Sequence, residues 1–298
     1  MKLLCFLIFL SLISVKSACA MQSSSPKGFI ISREHYPEGY YYQDIELNFP
    51  FNSKEFHFKK RKDGRIVFYY SGNTKNAPLI ISMGGIPPIF VRYGYVMASV
   101  RVYYQDRLTV QERIKLTLDS IRDFLEESKE YGFDTSRIVL MGFREHAMPA
   151  ALLATDPSYL SNGPIDFKAI KAVVLLDPVC LDVAAQNNSS RAQRSDFIRK
   201  KCGGVEAAEN LSPAKHAGAP NAGAFLMLPT TSTTGSERQV QLFDEALRSS
   251  GTTVRIENFE LSSKPLFDAL TKSTSAVTTS LVEFLAETVP SQATRPAE

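Results

Sequence analysis

The chain has 298 residues, 44% of them hydrophobic and 22% charged, which suits one compact domain with a sizeable core and excludes a disordered or fibrous polymer. Its net charge of +3 is spread without blocks of one sign, so no nucleic-acid patch and no acidic tail is indicated. No Cys/His cluster has zinc spacing and no glycine-rich loop opens a helix as a phosphate cradle. No metal, cofactor or nucleic-acid partner is therefore expected.

Residues 1–20 read as a cleavable secretory signal: Lys2, a mostly apolar run over 3–15, then the small-x-small sequence Ala18-Cys19-Ala20. The apolar run is too short to span a bilayer, so the reading is a secreted or periplasmic protein with no transmembrane segment. Lipidation of Cys19 ranks second, because Lys16 stands where that signal wants an aliphatic residue. Cleavage after Ala20 leaves Cys180 and Cys202, a candidate disulfide in an oxidising compartment, with two unpaired core thiols as the alternative. Asn187, Asn188 and Asn210 open glycosylation sequons, which count only in a eukaryotic secretory pathway.

From residue 39 to 72, short β-rich runs at 40–47, 55–59 and 65–70 alternate with turn residues such as Asp63-Gly64, which predicts antiparallel opening strands. Continuous apolar runs follow at 79–83, 95–100, 138–141, 172–176, 224–228 and 254–258, the signature of parallel strands covered on both faces. Between them, 109–130 keeps Ile114, Leu118, Ile121 and Leu125 on one stripe, an amphipathic helix, and 237–249 and 275–287 read likewise. The polar, strandless stretch at about 186–222 is placed as a small cap or excursion. The expected fold is α/β: a doubly wound, mostly parallel sheet with antiparallel opening strands, one domain over 28–289 and a disordered tail over 290–298, its site at the carboxyl ends of the strands.

The stretches "APLIISMGG", "GYVMASVRVYY", "YGFDTSRIVLMGF", "LLATDPSYL", "KAVVLLDPVCLDVAAQ", "LSPAKHAGAP" and "ERQVQLFDEALRSSG", in that order and spacing, resemble the α/β-hydrolase fold in its carboxylesterase/lipase-like branch, from about Arg65 to Glu287. The resemblance implies an esterase-like hydrolase with a Gly-x-Ser-x-Gly nucleophile turn and a Ser-acid-His triad in that chain order.

The residues at those positions do not supply that chemistry. The turn reads Gly142-Phe143-Arg144-Glu145-His146, and a guanidinium is no nucleophile. His146 replaces the second glycine, so the strained turn is expected to be relaxed. The four histidines are His35, His57, His146 and His216, and none follows the last strand. The base position falls near Lys264, which would need a strongly depressed pKa to act as a base. The candidate acids are Glu237, which also suits the first turn of a helix, and Asp177, which also suits a strand-end turn before Pro178. His216 reads as an ordinary loop residue. The backbone of Gly84, Gly85 and Glu145 is placed as an oxyanion-hole-like remnant, although only eight residues separate Gly85 from Gly94. The reading is a secreted, esterase-like protein without a working triad, taking at most a small carboxylate or ester-like ligand. The alternative is an active ester hydrolase with a displaced nucleophile: Ser82, inside a predicted strand, or Cys180, with no histidine expected within reach. A cation at a helix start opposes the helix dipole, so Arg144 is expected to pair with Glu237 or Asp177, plugging the old pocket, or else to bind an anion.

Overall fold

The structure, a computed structural model, describes residues 29–35, 41–47, 57–60, 66–70, 74–100, 108–183, 198–218, 220–231 and 236–292. The expected signal peptide and two of the three sequons lie outside the described residues. The chain forms two compact units, Met1–Phe51 and Asn52–Glu298, rather than one domain beginning at residue 28. In the first, β1 (Phe29–His35) and β2 (Tyr41–Leu47) form an antiparallel hairpin, with Phe29 opposite Leu47 and His35 opposite Tyr41. β1 escaped the pattern reading because its apolar residues cluster at one end instead of alternating.

The second unit is built on an eight-stranded sheet. Its strands are β3 (His57–Lys60), β4 (Ile66–Tyr70), β5 (Pro78–Met83), β6 (Val96–Val100), β7 (Asp134–Phe143), β8 (Ile170–Leu176), β9 (Ala224–Leu228) and β10 (Val254–Ile256). Their order is β10-β9-β8-β7-β5-β6-β4-β3. β3 and β4 pair antiparallel and β4 runs antiparallel to β6, while all other pairs are parallel. The expected mixed sheet with antiparallel opening strands is thus the one observed.

Burial explains the sequence pattern strand by strand. Leu79 and Ile81, Leu140, Val173 and Leu175, Phe225 and Met227 belong to one core cluster with the inner stripes of the helices α1 (Val110–Glu127), α2 (Ala147–Thr155) and α5 (Ser236–Ser249). Their alternates Ile80, Val139, Val174 and Leu226 are equally buried, which is why these strands read as unbroken apolar runs. Two short helices, α3 (Val205–Asn210) and α4 (Pro213–His216), occupy the excursion; α6 (Ser263–Ala269) and α7 (Ala276–Thr288) close the chain.

The tail is shorter than expected. Arg137 Nη1 donates to the Pro290 carbonyl at 2.7 Å and Ser291 Oγ donates to the Tyr93 carbonyl, so the first residues after 289 are tied to the sheet body.

Candidate functional site

The carboxyl ends of β5, β7 and β8 stand level, with Met83 opposite Gly142 and Gly142 opposite Leu175. At this level β7 turns sharply into α2. A Cβ added to Gly142 would lie 2.4 Å from the His146 carbonyl oxygen and 2.6 Å from Ala147 Cα, so only glycine lets the helix start fold back over the strand. Arg144 sits at φ +54, a left-handed conformation uncommon for a residue with a side chain. The expected relaxation of the turn is therefore overturned: the close packing of Gly142 against Ala147 holds the sharp bend even though arginine occupies it.

Arg144 does not plug a pocket through Glu237 or Asp177. Its Nε lies 3.7 Å from Oε2 of its neighbour Glu145, with the Arg144 side chain 48% exposed. Glu237 is exposed in the first turn of α5, where a carboxylate complements the helix dipole. Lys264 projects into solvent and pairs with Asp268 one turn on at 2.7 Å, a surface ion pair and no base.

Asp177 is fully buried at the end of β8, at φ +46. Its Oδ1 accepts from Thr230 Oγ1 at 2.6 Å, its Oδ2 accepts from Ser263 Oγ, and its backbone N–H donates to the Leu228 carbonyl at 2.8 Å. Thr230 follows β9 and Ser263 opens α6, so one carboxylate ties the ends of β8 and β9 to the start of α6. Phe267, one turn beyond Ser263, packs its ring 5.4 Å from that of Phe143. This carries α6 against the turn. Sequence reasoning passed over Thr230 and Ser263 because a hydroxyl in a Ser/Thr-rich loop carries no signal until the fold brings it to a buried carboxylate.

Beside the turn lies a cavity of about 40 Å³ whose wall includes Met83, Arg113, Glu145, His146, Met148 and Cys180, room for roughly three water molecules. Arg113 comes from the first turns of α1, whose start is set by a reciprocal cap: Glu112 N–H donates to Thr109 Oγ1 at 3.2 Å and Thr109 N–H donates to Glu112 Oε2 at 2.7 Å. Arg113 Nη2 donates to the Leu108 carbonyl at 3.2 Å. His146 packs against the loop after β5: a Cβ on Gly84, at φ +92, would meet His146 Cδ2 at 3.0 Å. Burial lowers the His146 pKa, the charge of Glu145 opposes that shift, and Arg113 adds to it, so the imidazole is neutral at neutral pH. Gly84 and Gly85 both keep positive φ, and Gly85 is open to solvent. The segment after them is short, a single 3-10 turn over Ile89–Tyr93 whose Ile89, Phe90 and Val91 are buried.

Cys180 and Cys202 are buried thiols that are not joined, which overturns the expected disulfide. Cys180 shares the cavity wall with His146, where no histidine was expected. Ser82 is fully buried in β5, its hydroxyl without a hydrogen-bond partner among the described residues, and it is not part of the cavity wall beside the turn. His216 Nδ1 lies 3.5 Å from Asp156 Oδ2 and its Nε2 2.8 Å from the Asn210 carbonyl oxygen, a structural link between the excursion and the end of α2. Among the described residues, no cluster of three or more His, Cys, Asp or Glu is arranged to hold a metal, and no helix is long and apolar enough to cross a membrane.

The strand order, the parallel core and the sharp turn after β7 are those of the α/β-hydrolase fold, and solved structures bear this out. The chain is similar to esterase B from Lactobacillus rhamnosis (14% identity, TM-score 0.62, 78% of this chain and 86% of that one). It is also similar to a butyrate-bound thermophilic esterase from Thermogutta terrifontis (18%, 0.61, 83% and 97%) and to fungal esterases from Rhizomucor miehei (15%, 0.58, 80% and 84%). Identities this low carry the fold alone. No family's sequence profile matches the chain, and no curated protein matches it in sequence.

Proposed function

We propose that this chain is an exported protein of esterase-like fold without acyl-transfer chemistry, whose remaining pocket takes a small solute. The observation that carries the reading is the Asp177 network. Acyl transfer needs a nucleophile, a histidine base and an acid that orients the base. Here the buried strand-end carboxylate accepts hydroxyls from Thr230 and Ser263, and no histidine follows Val254 in the chain. At the nucleophile turn, Arg144 keeps the backbone conformation and lacks the chemistry.

The cavity bounds the ligand. About 40 Å³ is too little for an ester with an acyl chain, and Arg113 in its wall favours an anion no larger than acetate. The signal-like residues 1–20 support export.

The decisive experiment exposes the purified chain to a fluorophosphonate and to short acyl esters. The expected result is no covalent label and no turnover above a matched blank. Saturable hydrolysis that disappears on mutation of one serine or cysteine overturns the reading. Acetate should raise the melting temperature of the parent and leave Arg113→Gln unmoved. For export, mature protein beginning near Met21 is expected by intact mass; an uncleaved Met1 overturns it.

A further inference from the structure

The segment leaving β8 holds two non-glycine residues in left-handed backbone, Asp177 at φ +46 and Cys180 at φ +62. Such conformations persist only where the surroundings over-determine them. The carboxylate network accounts for Asp177. Cys180 is set by the three residues Leu181, Asp182 and Val183. Gln239, buried on α5, donates from Nε2 to the Asp182 carbonyl at 3.2 Å and accepts the Asp182 N–H at 2.7 Å. Val183 N–H donates to Ser212 Oγ at 2.9 Å, and Ala214 N–H donates to the Leu181 carbonyl at 3.0 Å. Four hydrogen bonds over three residues thus clamp the chain directly after Cys180. The clamp leaves Cys180 8% exposed, in the wall of the cavity shared with His146, Arg113 and Glu145.

That wall combines the parts that thiol chemistry requires: a nucleophilic atom, a permanent cation to favour the thiolate, an imidazole able to take a proton, and space for a reactant of a few atoms. The other buried thiol has a different setting. Cys202 is 1% exposed and is not among the residues lining the cavity. Burial pushes its thiol up to about 11, against the opposing pull of Arg113.

We propose that Cys180 is a peroxide-reactive thiol and that the cavity admits hydrogen peroxide or an oxidant of that size. The His146 imidazole, neutral because it is buried, takes the thiol proton, and the Arg113 guanidinium stabilises the thiolate. The sulfur attacks one peroxide oxygen, so the S–O bond forms as the O–O bond breaks. Sulfur gives up two electrons to the peroxide. The departing hydroxide recovers the proton from His146 and leaves as water, and Cys180 becomes a sulfenic acid.

This chemistry uses the same cavity as the small-solute reading but is read by a different measurement: fluorophosphonate reports on serine, acetate on binding, and peptide mapping on each cysteine. The reduced full chain is exposed to hydrogen peroxide for timed intervals, quenched with catalase, unfolded in iodoacetamide and mapped. Cys180 should lose alkylation and gain oxygen before Cys202, at least about tenfold faster than a cysteine in a short unstructured peptide at the same pH. The bulkier tert-butyl hydroperoxide should lose most of that advantage. Loss of order between Cys180 and Cys202, a Cys180 rate equal to that of the peptide, or equal advantage for both peroxides overturns the proposal. These comparisons need no variant. With folded variants, His146→Asn should slow Cys180 oxidation by about tenfold, and Arg113→Lys should retain more of the rate than Arg113→Gln; an unchanged rate in both His146→Asn and Arg113→Gln would overturn the roles given to them.

Discussion

Replacing Asp177 tests whether the buried carboxylate is a structural tie between two strand ends and the start of α6. Asp177→Ala removes the carboxylate that accepts from the hydroxyls of Thr230, a residue 2% exposed, and of half-buried Ser263. A buried group left without its hydrogen bond costs about 1–3 kcal/mol, so two such losses come to about 3–4 kcal/mol with Ser263 partly solvated. For a unit of this size that lowers the melting temperature by roughly 6–16 °C. Asp177→Asn keeps an oxygen for Thr230, can donate from its amide to a turned Ser263 hydroxyl, and tolerates the left-handed backbone. Its cost should be about 1 kcal/mol. Asp177→Gly loses the same hydrogen bonds as alanine but relieves φ +46, so it should be more stable than Asp177→Ala by about 0.5–1 kcal/mol. The chain has no tryptophan, so urea unfolding is followed by far-UV circular dichroism, comparing midpoints at constant slope. An alanine variant within 1 kcal/mol of the parent, roughly the worth of one ordinary hydrogen bond, would refute the tie. So would an asparagine variant as unstable as alanine.

Arg144→Gly should raise the urea midpoint by the equivalent of about 1 kcal/mol, since it relieves φ +54 and gives up only an exposed ion pair; a lowered midpoint would show that the side chain holds the turn. Arg144→Ser should yield no ester hydrolysis above the blank, because no histidine follows Val254 to take the base position of a triad. Gly142→Ala should destabilise by about 1–3 kcal/mol or more, as its Cβ would sit 2.4 Å from the His146 carbonyl oxygen, and thermal melting at neutral pH checks it. Because burial lowers the folded-state pKa of His146 below 6.5, the unfolded chain binds the extra proton first. The stability this contributes is full above 6.5 and is lost as pH falls through the folded-state value. His146→Asn should therefore lose less stability than the parent over that acid window in paired pH titrations of the urea midpoint, and parallel curves would contradict the assignment.

The sheet and its main helices were legible in the chain because their signal is local. Apolar runs such as 138–141 and 172–176 are buried on both faces, and the stripe Ile114, Leu118, Ile121, Leu125 repeats at helical spacing. The absence of a late histidine and the arginine at the nucleophile turn were equally plain, since residue identity and chain order need no coordinates. The backbone at the turn was not: a sequence with His146 in place of glycine suggested a relaxed bend, while the packing of Gly142 on Ala147 keeps Arg144 left-handed. Partners were decided only by the tertiary structure. Asp177 meets hydroxyls from positions 53 and 86 residues away, Arg144 turns to its own neighbour, and Cys180 stands with His146 instead of bonding Cys202. Such contacts are set by how β8 and β9 end, and α6 begins, at one level of the sheet. No local periodicity encodes that level, because it is fixed by the register of strands far apart in the chain.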